Sequence, residues 1–255
     1  MRIGKATIQL TLGSVFLLTG CGRAHSGQTT VLNGSLLPQD QGWSVSTNAV
    51  TPLDVVTNGS TLTLNTIGVR RSIDHLLGKA VVWFYREVPF NFDLEFSIEF
   101  ALKVHEVEQL LNLHDAGIMF YGSTIDPSGN FGGGPRSQIL FFDETAIGWG
   151  DETGRFEMDT TDTFHTYTLT VDDSRFAKVY VDGSLALKRD KWEGIPRIGF
   201  GDMTNDVDVN GRFSIRDIIV TSVPESALHD LPPAFLESPF HDLVLVVRPP
   251  IKPEG

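Results

Sequence analysis

The chain has 255 residues, 41% of them hydrophobic, 10% aromatic and only 20% charged, which excludes a disordered polymer and supplies apolar material for one sizeable core. A formal charge of −12 at pH 7 repels phosphate backbones, so nucleic acid is excluded as a partner, whereas cations are attracted. The single cysteine rules out an intramolecular disulfide.

The N-terminus carries Arg2 and Lys5, followed by an apolar stretch from Ile8 to Leu18. That stretch falls short of the ~20 residues of a spanning helix and suits the hydrophobic region of an export signal. It runs into Leu18-Thr19-Gly20-Cys21, which resembles the bacterial lipobox. The resemblance implies cleavage after Gly20, a diacylglyceryl thioether on Cys21 and membrane association through that lipid. Residues 1–20 then form a signal peptide, and their removal leaves 18 basic against 32 acidic side chains. Gly22, in place of Asp, implies release to the outer membrane in a Gram-negative host. The expected location is therefore the exported face of a membrane.

Residues 21–30 are polar and read as a lipidated tether. From about residue 31 to 223, short strand patterns alternate with turn signals. Leu53 to Thr57 and Ser60 to Asn65 flank Asn58-Gly59, a two-residue hairpin signal, and Phe176 to Val181 and Ser184 to Leu187 flank Asp182-Gly183. Ala80 to Glu87 is a β-branched and aromatic run. In Phe92 to Leu102 the residues Leu94, Phe96, Ile98, Phe100 and Leu102 alternate with Asp93, Glu95, Ser97, Glu99 and Ala101, the period of a half-buried strand. Further strands are expected at Ile118 to Tyr121, Gln138 to Phe142, Ala146 to Trp149, His165 to Asp172, Arg197 to Phe200 and Phe213 to Thr221. Glu106 to Leu113 reads as a short helix. Ser123 to Arg136 is a glycine-rich loop that lacks the Gly-Lys-Ser/Thr ending of a phosphate loop. Residues 224–255 hold seven of the 13 prolines and form a tail that does not continue a sheet. Many short strands with almost no helix predict an all-β, antiparallel jelly-roll sandwich as a single domain.

Several segments carry a family resemblance. Phe164-His165-Thr166-Tyr167-Thr168-Leu169-Thr170-Val171, with Lys178-Val179-Tyr180-Val181-Asp182-Gly183, resembles a hairpin of laminin G-like and concanavalin A-like jelly rolls. Ile198-Gly199-Phe200-Gly201-Asp202 resembles the segment leading to their last strand. Asp93-Leu94-Glu95-Phe96, with Asp115-Ala116-Gly117-Ile118-Met119-Phe120, is similar to 3-keto-disaccharide hydrolase domains, and Gly42-Trp43-Ser44-Val45 fits the opening. The resemblance implies the fold. It leaves open a lectin, a saccharide-acting hydrolase of the 3-keto-disaccharide type, and a non-catalytic docking or structural lipoprotein.

For chemistry, Asp93, Glu95 and Glu99 share a strand face but lack the carboxylate spacing by which laminarinase-type jelly rolls resemble one another, and a solvated face explains them. His114-Asp115 reads as a turn. No nucleophile elbow or His-Glu-x-x-His is present, so no catalytic residue is assigned. Asp206-Val207-Asp208-Val209-Asn210-Gly211, with Asp217 at position 12, matches the spacing of an EF-hand-type calcium loop, making Asp206, Asp208, Asn210 and Asp217 the candidate metal ligands. Trp149, Asp151 and Glu152, with Trp192, are the candidate sugar-binding residues, because small neighbours would expose an indole beside acids. Trp43 and Trp83 read as core. The expected partner is a glycan or an envelope protein.

Overall fold

A computed structural model describes residues 27–47, 49–68, 82–88, 95–108, 118–121, 139–192, 197–202 and 210–222. These form fifteen strands in two antiparallel sheets. The strands are β1 (Gly27–Leu32), β2 (Ser44–Thr47), β3 (Asp54–Asn58), β4 (Thr61–Asn65), β5 (Val82–Glu87), β6 (Phe96–Glu108), β7 (Ile118–Tyr121) and β8 (Ile139–Phe142). They continue as β9 (Ala146–Trp149), β10 (Arg155–Glu157), β11 (His165–Val171), β12 (Ala177–Val181), β13 (Ser184–Arg189), β14 (Arg197–Asp202) and β15 (Asn210–Ser222). A 3-10 turn at Pro38–Gln41 is the single helical element among the described residues.

The larger sheet runs β13-β12-β11-β6-β15-β4-β3, and the smaller runs β10-β9-β8-β7-β14-β5-β2. β6 and β15, thirteen residues each, pair along their whole length and form the spine of the larger sheet. On the other flank of β15, β4 pairs with Arg212 to Ile215 and β1 with Ile218 to Ser222. The register shift between Ile215 and Ile218 falls where one neighbour gives way to the other. Gly34 tucks into this break: a Cβ there would lie 3.0 Å from the Arg216 Cα, and its N–H donates to Asp217 Oδ1 at 3.0 Å.

The period-two pattern of β6 carries through as expected, with Phe96, Ile98, Phe100 and Leu102 all buried. Phe100 meets the smaller sheet at Phe120, with ring centroids 4.1 Å apart, and also touches Phe142 and Tyr167. Trp43 seals one flank: its indole N–H donates to the Val31 carbonyl at 2.9 Å and its ring meets Phe200 edge-on. Both Asn-Gly and Asp-Gly hairpins form, with Gly59 and Gly183 at positive φ and open space around each.

The structure differs from the sequence reading at two ends of elements. Residues 27–30, assigned to the tether, are strand β1, because β15 offers them a free edge of backbone donors and acceptors. Glu106 to Glu108, read as the start of a helix, continue β6 opposite Asn210 to Arg212. The rest of that segment lies outside the described residues, as do Cys21, Asp93, His114-Asp115, the 123–136 loop and the 224–255 tail.

Candidate functional site

Alternation along each strand divides the smaller sheet into two faces. Phe84, Phe120, Leu140, Trp149 and Phe200 point between the sheets and join the common core. Trp83, Tyr85 and Glu87 on β5 point the other way, opposite Gly201, Gly199 and Arg197 on β14. Across the same face stand Phe141 on β8, Gly148 on β9, and Arg155 and Glu157 on β10.

Trp83 is buried yet does not join the common core. A Cβ on Gly199 would lie 3.0 Å from the Trp83 ring, and one on Gly201 2.7 Å from the Trp83 Cα. The two glycines therefore make room for the indole to lie across β14. Tyr85 is half-buried and leans on Trp83, with centroids 4.6 Å apart and planes at 31°. The Arg197 guanidinium sits 5.4 Å from the Tyr85 centroid and binds Glu87 at 2.9 Å. Arg197 is 8% exposed while Glu87 is 75% exposed, so the carboxylate reaches into solvent from a fixed base. Gly148 repeats the glycine device under Phe141, whose ring occupies the space a Cβ would need. The result is a braced aromatic pair, a fixed cation and an exposed carboxylate above a floor of glycines.

The tryptophans proposed from sequence occupy the opposite environment. Trp149 and Trp192 are both within 1% of complete burial, lie 6.1 Å apart and belong to the core, so neither presents a face to a ligand. The correction has a simple cause: Gly148 and Gly150 neighbour Trp149 along the chain, but alternation sends Gly148 to the other face. Asp151 is committed to structure, accepting from Arg189 at 2.7 Å and from Thr153 Oγ1 at 2.7 Å. Burial would raise the Asp151 pKa, but these bonds outweigh it and hold the carboxyl below its ordinary value. Arg189 in turn covers the Trp149 ring at 5.0 Å. Glu152 is exposed in the left-handed region at φ 66°, a turn position.

The four-residue calcium set is corrected at Asp217. Asn210 and Asp217 belong to one extended strand, where seven residues span roughly 23 Å, so they cannot share an ion as positions 5 and 12 of a loop do. Asp217 holds Gly34, whereas Asn210 donates through Nδ2 to Glu108 Oε2 at 3.1 Å and keeps its Oδ1, the atom a cation would take, buried without a hydrogen-bond partner among the described residues. Asp206 and Asp208 lie outside the described residues. No group of three His, Cys, Asp or Glu side chains suited to a metal occurs among the described residues.

Two polar clusters went unassigned in the sequence. On the outer face of the larger sheet, Ser214 Oγ lies 2.7 Å from both Thr63 Oγ1 and His105 Nε2. Burial, then the charges of Arg212 and Lys103, lowers the His105 pKa below its ordinary value. At the β12–β13 hairpin, His165 is clamped between Asp182 Oδ2 at 2.7 Å and Asp162 Oδ1 at 2.9 Å. Burial alone would lower its pKa; the bonds to Asp182 and Asp162 outweigh that and raise it above 6.5. A raised folded-state pKa stabilises fully below the unfolded value of about 6.5 and ceases to do so as pH rises through the folded value. His165→Gln should therefore destabilise at pH 5.5, by under about 1 kcal/mol for so exposed a pair of carboxylates, and less at pH 8.5. Thermal melts of both proteins at the two pH values measure this difference.

No family model matches the chain, and no curated protein sequence matches it. Solved structures do. A carbohydrate esterase from the Shiga toxin-encoding bacteriophage phi24B aligns at 16% identity over 78% of this chain and 100% of its own, with a TM-score of 0.50. The Emp47p carbohydrate recognition domain aligns at 15% identity over 71% of this chain and 89% of its own, TM-score 0.44. An endo-1,3-beta-glucanase from Streptomyces sioyaensis aligns at 13% identity over 78% and 98%, TM-score 0.45. At such identities the likeness is one of fold alone, and that of the esterase agrees with the two antiparallel sheets: the chain is an all-β, antiparallel jelly-roll sandwich.

Proposed function

We propose that this chain is an exported lipoprotein, anchored through acylated Cys21, whose sandwich binds carbohydrate on the outer face of the smaller sheet. The observation that carries the binding reading is Tyr85, a partly exposed ring braced on Trp83 beside the Arg197–Glu87 pair, over a floor of Gly199 and Gly201. Sugars present apolar C–H faces ringed by hydroxyls, so they select a rigid aromatic surface flanked by fixed hydrogen-bonding groups. The glycines let the Trp83 indole lie across β14, which fixes the ring that braces Tyr85. The lipobox at residues 18–21 and the preceding apolar stretch support the anchor.

Binding is favoured over glycoside hydrolysis because the described carboxylates at this face are engaged by arginines: Glu87 by Arg197 at 2.9 Å, and Asp143 and Glu157 together by Arg155 at 3.1 Å and 2.7 Å. Hydrolysis instead needs one carboxyl as general acid and the other as base or nucleophile.

The test is a glycan array probed with the mature chain carrying Cys21→Ser, alongside the same chain with Tyr85→Ala. The expected result is selective retention by one class of glycan, lost in Tyr85→Ala. No retention anywhere on the array, or retention undiminished in Tyr85→Ala, rejects the binding reading.

A further inference from the structure

The two ends of the sandwich can be told apart by following register across the larger sheet. Gly27 pairs with Ser222, Ser222 with Phe96, Phe96 with Val171, Val171 with Ala177 and Ala177 with Arg189. These residues define one end, where the chain enters the domain at β1 and leaves it after β15. The turn between β11 and β12, with exposed Asp173 and Ser174, caps the same end. Arg189 brings the β9–β10 turn there as well, through its bond to Asp151. The opposite end is marked by Asn210 beside Glu108, by Arg212 beside Glu106, and by Thr66, whose hydroxyl donates to buried Asp202. Ser222 and Arg212 are ten residues apart on one strand, so their levels differ by roughly 33 Å.

We infer that the end carrying Gly27 and Ser222 is the surface this domain turns toward the lipid bilayer, with the strands standing away from the membrane and the Asn210 end outermost. The inference rests on the proposed acylation of Cys21. Gly27 is six residue steps from Cys21, a reach of at most about 20 Å when fully extended. That is shorter than the height of the sandwich, so the lipid cannot be engaged while the Asn210 end faces the membrane. The pairing of β1 with β15 over Gly27 to Leu32 fixes the entry point, because releasing it would expose a run of backbone groups on the sheet edge. On β5 and β14, Glu87 and Arg197 lie at the level of the same end, since Asp202 and Val82 mark the other, beside Thr66. The proposed sugar-binding face therefore opens sideways, with its charged pair on the membrane side. A glycan held there would be one reachable within a few nanometres of the bilayer surface.

The experiment compares two single-cysteine reporters in the full lipidated protein, Asp173→Cys at the proposed membrane end and Glu106→Cys at the far end. Both positions are exposed. Each is labelled with a maleimide donor dye and reconstituted into phosphatidylcholine vesicles carrying a headgroup-attached acceptor dye. Energy transfer from position 173 is expected to exceed that from position 106 at least threefold. Equal transfer from the two positions, or the reverse order, overturns the orientation. Failure of the lipidation reading shows itself separately: the unsubstituted protein would take up maleimide at a free Cys21 thiol and would not float with the vesicles.

Discussion

Replacing Phe100 by alanine should lower the unfolding free energy by about 3–5 kcal/mol, the range for truncating a buried phenylalanine. Phe100 is 1% exposed and contacts Phe120, Phe142 and Tyr167, so it is the point where β6 of the larger sheet meets the smaller one. Those three rings belong to strands β7, β8 and β11, and with Ile218 directly opposite on β15 they leave a close-packed core in which a missing ring is only partly refilled. Urea denaturation followed by fluorescence gives the value directly, with the slope expected to match wild type. A loss under about 1 kcal/mol would mean that the two sheets do not share this contact.

The second large effect is expected at Gly201→Ala, at about 2–4 kcal/mol from overpacking combined with backbone strain. Gly201 has φ 141°, a region side chains rarely enter, and its added Cβ would press on the Val82 carbonyl oxygen and lie 2.7 Å from the Trp83 Cα. Both are backbone atoms of the neighbouring strand and cannot rotate away. Gly59→Ala is the matched comparison: it also has positive φ, but nothing stands within 4 Å of its Cβ, so only the conformational cost of about 1–2 kcal/mol remains. If thermal melts place the two substitutions at equal cost, the close approach of β5 and β14 under Trp83 is not as described.

How much of this was legible in the sequence depended on whether one face of a strand differs from the other. β6 announced itself because Phe96, Ile98, Phe100 and Leu102 alternate with polar residues, and the hairpins because Asn58-Gly59 and Asp182-Gly183 supply the positive φ their turns require. The extension of β6 through Glu108 was hidden, since Glu106-Val107-Glu108 has good helix formers and only its long partner β15 decides the matter. β1 was hidden for a similar reason: a polar stretch becomes strand when a free edge is waiting.

The proposed sugar site was hidden in the sequence on a different ground. Val82-Trp83-Phe84-Tyr85 is apolar throughout, so pattern could not say which rings face between the sheets; Trp83, read as core, is indeed buried, but on the outer face of the smaller sheet. A usable signal stood on the neighbouring strand: in Ile198-Gly199-Phe200-Gly201-Asp202 the two glycines occupy one face, the mark of a large group lying across them. Trp149 drew attention through Gly148 and Gly150, although alternation had already sent Gly148 to the opposite face. The calcium spacing failed at Asp217 because Asn210 to Asp217 belong to one extended strand, paired on both flanks over Arg212 to Ile215, and a loop that must curl around an ion cannot do so while extended.

Sugar binding is proposed for the outer face at Tyr85 and not for the β9–β10 turn at Asp151 and Glu152. Its most direct measurement is titration calorimetry of the mature Cys21→Ser chain against the glycan that the array selects, repeated for Tyr85→Ala and Glu152→Ala. Tyr85→Ala is expected to weaken binding by about tenfold or more, equivalent to about 1.4 kcal/mol or more, with Glu152→Ala indistinguishable from wild type. Full affinity in Tyr85→Ala together with a tenfold loss in Glu152→Ala would contradict the account and return the site to the β9–β10 turn.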